Sequence, residues 1–123
     1  MFCNLNGNSL PFASRWQLTA NQNYRHNLGN AMDLEVNVAY RWQSQTPYQF
    51  IDTADTAQPA YGIWDLSLGL RDPDDRWSAA LLVKNVLDQN YSSYLIQGNL
   101  GGSVRWVPRD ATRYAGLTFR LAF

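Results

Sequence analysis

Few residues in this chain are suited to bond-making chemistry, and their spacing brings none of them a partner. His26 is the single histidine and Cys3 the single cysteine. A catalytic or metal-binding histidine needs converging partners. None is spaced to help His26, which reads as a solvated turn residue. Cys3 can form no internal disulfide, and no apolar run precedes it as a lipoprotein or secretory signal requires. Asp72, Asp74 and Asp75 are spaced like the start of a calcium loop, but the loop glycine and distal glutamate are absent. They read as a charged turn. Gly98, Gly101 and Gly102 do not open a helix after a strand, as a phosphate cradle does, and are expected to loosen a loop. The expectation is therefore a non-enzyme with no catalytic residues, no metal ligands and no cofactor. Ten basic and ten acidic residues cancel, leaving no overall field to recruit nucleic acid.

The polar residues make sense once the elements that carry them are drawn. Five segments alternate apolar and polar with period two, the pattern of a strand with one apolar face. The first runs from about Arg15 to Tyr24, with Trp16, Leu18 and Ala20 opposite Gln17, Thr19 and Asn21. The second, Ala31 to Gln43, sets Met32, Leu34, Val36, Val38, Tyr40 and Trp42 against Asp33, Glu35, Asn37, Ala39, Arg41 and Gln43. A helix would scatter those charges around its cylinder. The third, Tyr61 to Arg71, opposes Trp64, Leu66, Leu68 and Leu70 to Asp65, Ser67, Gly69 and Arg71. In the fourth, Trp77, Ala79, Leu81 and Val83 oppose Ser78, Ala80, Leu82 and Lys84, with Leu82 the one blemish. The last, Tyr114 to Phe123, carries Ala115, Leu117, Phe119, Leu121 and Phe123 on one face. Several segments reach the ~9–11 residues that cross a bilayer at a tilt.

Hydrophobic residues make up 46% of the chain, yet the mean hydropathy is −0.38. No stretch approaches a membrane-spanning helix, whereas barrel strands average out in this way. The predicted links alternate in length: a turn at residues 25–30, a long link at 44–60, the Asp72-Pro73-Asp74-Asp75 turn and a long link at 86–110. Short turns on one side and long loops on the other are the habit of a hairpin membrane barrel. Periodicity alone leaves a soluble sandwich or barrel open. Strand length, loop asymmetry and two aromatic belts favour the membrane. Tyr24, Trp77 and Phe123 are expected near the periplasmic boundary, and Trp16, Tyr40, Trp42 and Trp64 near the outer one.

The last ten residues, from Tyr114 through Gly116, Phe119 and Leu121 to Phe123, resemble the C-terminal signal that the outer-membrane barrel-assembly machinery reads. Upstream, Val83-Lys84-Asn85-Val86-Leu87-Asp88-Gln89-Asn90-Tyr91 resembles the "KNLFDxxY" element of TonB-dependent receptors, with Val86-Leu87 in place of Leu-Phe. Residues 6–14 resemble that family's "GxxLPxAP" segment, with Ser14 where Pro is frequent, and Gln58-Pro59-Ala60-Tyr61 matches another recurrent spot. The chain therefore resembles the C-terminal part of a TonB-dependent receptor barrel along its whole length, residues 1–123. Asn85, Leu87, Asp88 and Tyr91 carry the family motif.

This resemblance implies an all-β, antiparallel up-and-down transmembrane barrel of about 22 strands around a plug, of which the chain supplies about five. It implies energy-coupled uptake of a scarce nutrient such as a ferric siderophore. Its partners would be outer-membrane lipid, the assembly machinery, the remaining barrel and plug, and TonB through that plug. No signal peptide, plug or TonB box is visible. The expectation is accordingly a fragment, a truncated product or partial record that does not transport alone. Ligand contacts in the family come largely from loops, which makes Tyr48, Phe50, Tyr94, Arg105, Trp106 and Arg109 candidates. The inward charges Asp33, Glu35, Arg41, Asp65, Lys84 and Arg120 are expected to pair with one another or with a plug. The alternatives are a passive porin-like barrel and a soluble β-sheet binding module.

Overall fold

The computed structural model describes residues 7, 10–29, 32–49, 56–97 and 102–122. Five strands form one antiparallel sheet: β1 (Gln17–Asn27), β2 (Asp33–Gln43), β5 (Tyr61–Arg71), β6 (Trp77–Lys84) and β9 (Tyr114–Leu121), in the order β1-β2-β5-β6-β9. Each pairs with its neighbour in sequence, an up-and-down meander with β1 and β9 at the open edges. Two small hairpins stand in the long links. One joins β3 (Thr46–Pro47) to β4 (Ala57–Gln58), the other β7 (Tyr94–Gln97) to β8 (Ser103–Trp106). A 3-10 turn, Arg109–Ala111, precedes β9.

The register keeps every strand in phase. One row across the sheet reads Tyr24–Val36–Leu68–Leu81–Leu117, and the next reads Asn23–Asn37–Ser67–Leu82–Gly116. One face is therefore apolar from edge to edge and the other polar, because a slip of one residue in any strand would exchange its faces. Among the described residues nothing covers the apolar face. Leu68, Leu70 and Leu81 are more than a third exposed, and Leu117 reaches 77%. The small core lies instead beneath the hairpins, where Tyr48, Ala57, Leu95 and Ala111 are buried. A water-soluble sheet buries its apolar face; among the described residues nothing buries this one. Aromatic rings mark its two ends. Tyr40 packs on Trp64 at 4.4 Å beside Trp42, and Trp77 pairs with Phe119 at 6.5 Å. Gly62 makes room for this packing: a Cβ there would lie 2.7 Å from the Tyr40 hydroxyl, so the Tyr40 ring would have to shift.

The turns explain where the sequence expectations moved. β1 runs to Asn27, beyond the expected Tyr24, because polar side chains continue the alternation: Arg25 pairs with Glu35 (3.5 Å) and Asn27 donates to Asp33 (2.7 Å). His26 therefore sits in a strand, stacked on Tyr24, and not in the turn. The turn itself closes with Leu28 N–H donating to the Met32 carbonyl, and Gly29 takes φ +67°. At the other short link, Asp75 N–H donates to the Asp72 carbonyl, and Asp75 adopts φ +57°. That is a type I turn followed by a left-handed residue, a common hairpin closure. The Asp72 carboxylate accepts from Arg76 Nε at 2.7 Å and from its backbone N–H at 3.3 Å. The trio of aspartates is thus an ion-paired turn. Phe123, expected on the apolar face of the last strand, lies outside the described residues.

Candidate functional site

Lys84, Asn85, Asp88 and Tyr91 gather on one end of the sheet, where β6 leads into its long loop. Asn85 holds the left-handed conformation (φ +51°) and is 1% exposed. Asparagine is among the few residues that tolerate this conformation. Its amide donates to the carbonyls of Gln89 (3.0 Å) and Asp110 (3.1 Å), and its Oδ1 accepts from Gln89 N–H (2.8 Å). Its own N–H donates to Asp65 Oδ1 at 3.0 Å. Asp65 Oδ2 takes Lys84 Nζ at 2.8 Å and lies 3.6 Å from the Arg41 guanidinium. Asp88, also left-handed at φ +54°, accepts Arg113 N–H on its carboxylate at 2.7 Å. Tyr91 stacks on Tyr61 at 4.4 Å, and burial pushes its phenol above the ordinary range. Leu87 alone of the four motif residues points away, 68% exposed. The element is a brace: it closes the loop at its root and ties β6 to β5 and β9.

Beyond the brace, the hairpins and the segment before β1 meet around aromatic rings. Phe12 stacks on Tyr94 (5.6 Å) and touches Tyr48 (5.7 Å), Tyr48 meets Tyr94 (5.9 Å), and Tyr94 meets Trp106 (5.6 Å). Polar contacts fix the same junction. The Tyr48 hydroxyl donates to the Ser92 carbonyl (2.9 Å), Ser92 N–H donates to Gln58 (2.8 Å), and Phe12 N–H donates to the Pro47 carbonyl (2.7 Å). Burial raises the Tyr48 phenol. Of the expected contact residues, the structure brings together Tyr48, Tyr94 and Trp106. Tyr48 is only 8% exposed and serves the junction, whereas Trp106 remains about half exposed. Arg105 is exposed on β8, and Arg109 covers the Tyr114 ring at 5.4 Å. Phe50 lies outside the described residues. Phe12, Gln58 and Ser92 belong to the same junction, and nothing in their local spacing announces it.

The polar face of the sheet carries a groove of about 430 Å³ near the short turns, bordered by Arg25, Glu35, Asn37, Ser67, Arg71 and Ser78. Asn23 donates to Glu35 at 2.8 Å, and Asn37 does so at 3.4 Å. Asp65, Lys84 and Arg41 form the second polar group on this face. Of the expected inward charges, Arg41, Asp65 and Lys84 pair with one another, Glu35 pairs instead with Arg25, Asp33 accepts from Asn27, and Arg120 sits opposite Ser78. Among the described residues no three metal-ligating side chains converge.

A polar lining, an uncovered apolar back, tight turns at one end and braced loops at the other describe one segment of an outer-membrane barrel wall. The sequence pattern that defines TonB dependent receptor-like β-barrels matches residues 2–86. The chain belongs to the TonB-dependent receptor family. Its fold is also that of a solved relative, the ferric yersiniabactin uptake receptor FyuA from Yersinia pestis, with a TM-score of 0.82 over 97% of this chain at 22% identity. The chain spans 18% of the length of that receptor. No match was found among curated protein sequences. TonB-dependent receptors are outer-membrane proteins of Gram-negative bacteria, a family of receptors and not of enzymes. In this TonB-dependent receptor barrel the resembling residues Tyr114, Gly116, Phe119 and Leu121 all lie on β9. Gly116 has open space around it, opposite Leu82, and Tyr114 faces Asp110.

Proposed function

We propose that this chain forms the C-terminal stretch of barrel wall in a receptor for energy-coupled uptake of a scarce nutrient such as a ferric siderophore. What supports the reading most is the two-faced sheet, apolar and uncovered on one side, polar and internally paired on the other, within a TonB-dependent receptor family. The five strands contribute wall, brace and two loops, and passage of the nutrient is the work of a closed barrel with its plug. An open sheet edge in hydrocarbon leaves unpaired backbone groups, each costing several kcal/mol, so β1 and β9 are expected to pair with further strands. The plug would rest against the polar face, and TonB would act through the plug. Residues Tyr114 to Phe123 would be read by the barrel-assembly machinery. Trp106 and Arg105, exposed on the β7–β8 hairpin, would contact cargo, with Tyr48 and Tyr94 holding that hairpin in place.

The test is accumulation of radiolabelled ferric siderophores by cells that produce the receptor carrying this chain, with and without TonB. The expected result is uptake that disappears without TonB. Uptake of small solutes that ignores TonB would replace this reading with a passive porin-like barrel.

A further inference from the structure

The polar face holds a second, smaller cavity at the loop end of the sheet, of about 150 Å³. Its lining includes Gln17 and Thr19 of β1, Arg41 and Gln43 of β2, Tyr61 of β5, and Tyr91 beyond β6. The register brings them together: Thr19 lies opposite Arg41, and Gln17, Gln43 and Tyr61 form one row across three strands. Tyr91 joins them by stacking on Tyr61 at 4.4 Å, nearly parallel at 11°. Whole-ligand pockets begin at about 300 Å³. This one has room for a single group of a larger guest.

What the cavity offers that group is positive charge and N–H and O–H donors. None of its lining residues is acidic. The Arg41 guanidinium has five N–H donors, is about half exposed, and among the described residues meets only Asp65, at 3.6 Å. Asp65 is already committed, its Oδ2 to Lys84 Nζ at 2.8 Å and its Oδ1 to Asn85 N–H at 3.0 Å. Two cations therefore share one carboxylate, and Arg41 is the one at the cavity. The Gln17 amide donates to Ser14 (2.8 Å) and the Gln43 amide to Thr46 (3.2 Å). Among the described residues no hydrogen bond engages the hydroxyl of Tyr61 or Tyr91. A phenol titrates near 10, so both remain donors at neutral pH.

We propose that this cavity is a cargo subsite on the barrel wall for an anionic oxygen group, a carboxylate or phenolate carried by a ferric chelate. Arg41 takes the charge, in the fork geometry that suits such oxygens, and Tyr61 and Tyr91 donate beside it. This rests on the reading that the polar face lines the lumen of an uptake receptor. The receptor accordingly favours negatively charged ferric complexes over neutral ones, a selection made by the wall and separate from any contact of the β7–β8 hairpin.

Cells that lack TonB and produce the receptor carrying this chain allow binding to be read without transport. Three radiolabelled probes are compared: a ferric hydroxycarboxylate and a ferric tris-catecholate, both anionic, and a neutral ferric tris-hydroxamate. At least one anionic complex is expected to bind better than the neutral one, and which of the two does so distinguishes carboxylate from catecholate. At equal amounts of receptor in the outer membrane, Arg41→Gln should weaken that binding about ten- to a hundredfold, the range of a hydrogen bond to a charged group, and leave the neutral complex unaffected. Arg41→Lys, which keeps the charge and loses the fork, should retain part of it. Tyr61→Phe with Tyr91→Phe keeps the stacked rings and should cost a smaller factor, about two- to tenfold. Anionic binding that ignores Arg41→Gln, a preference for the neutral complex, or no anionic binding overturns the proposal. Equal losses for anionic and neutral complexes also overturn it, since Arg41 would then anchor another segment of the receptor. In cells with TonB, uptake of the neutral complex alone leaves the uptake reading standing without this subsite, whereas no TonB-dependent uptake of any ferric complex removes both.

Discussion

Adjacent residues Leu81 and Leu82 offer a direct measure of which face meets hydrocarbon, because the pleat sends them to opposite sides. Leu81 lies between Leu68 and Leu117 on the apolar face, and Leu82 lies between Ser67 and Gly116 on the polar one. Leu81 is four residues beyond Trp77, which marks the end of that face. At ~3.4 Å per residue this is roughly 14 Å along the strand. A tilt of ~40° reduces it to about 10 Å of depth, close to the middle of an apolar band ~25 Å tall. Leu81→Arg should therefore incur nearly the full midplane penalty, about 2–4 kcal/mol. Leu82→Arg meets a small hydroxyl and a glycine on a watery face, and should cost less than about 0.5–1 kcal/mol. Both variants can be compared by urea unfolding of the vesicle-inserted receptor that carries this chain, followed by tryptophan emission. Equal losses, or a larger loss for Leu82→Arg, would refute the assignment of faces.

The brace and the ion-paired turn give two further tests. Asn85→Ala strands buried partners, about 1–3 kcal/mol, and forces alanine into a left-handed conformation, about 1–2 kcal/mol more; Asn85→Gly should recover only the second part in the same unfolding assay. Equal destabilisation by alanine and glycine would show that the backbone conformation at this position contributes nothing. At the β5–β6 turn, hydrogen bonding from Arg76 holds the Asp72 carboxyl below its ordinary value. A lowered value means that the stabilisation is present above the unfolded pKa of ~3.9 and disappears as pH falls through the depressed one. Protection of the Asp75 and Arg76 amides, taken relative to their intrinsic exchange rates, should fall below about pH 4, and Asp72→Asn should remove that loss of protection. A protection factor that is flat with pH in the unsubstituted chain would contradict it.

Much of the sheet is readable in the sequence because its alternation is long and uninterrupted. β5 and β6 run over the expected residues, bounded by Asp72-Pro73 and by the left-handed Asn85. Even Leu82, the residue that breaks the pattern, keeps its phase. β1 was harder, since Arg25, His26 and Asn27 look like turn residues until Glu35 and Asp33 are placed opposite them. β3–β4 and β7–β8 escape a period-two reading because strands of two to four residues hold too few alternations. The motif around Asn85 was visible as a family resemblance, but its physical role was not. Its partners Asp65, Asp110 and Arg113 lie 20 to 25 residues away in sequence. Tyr48 illustrates the same limit among the ligand candidates: its type suggested exposure, and only the contact with Ser92 reveals that it is used in packing.

The bonds from Asn85 to Asp110 and from Asp88 to Arg113 divide the longest link into a root and a crown. Once the root is closed, the ends of the crown are already together. Lengthening it then carries only the slow logarithmic cost of a larger loop, about 0.6 kcal/mol per doubling. The pairing of β6 with β9 is insulated from whatever sequence the crown contains. A wall built this way can change the sequence beyond the root while β6 and β9 keep the same register. The same root offers the engineer a socket: an epitope or reporter inserted beyond it should leave the barrel wall unchanged.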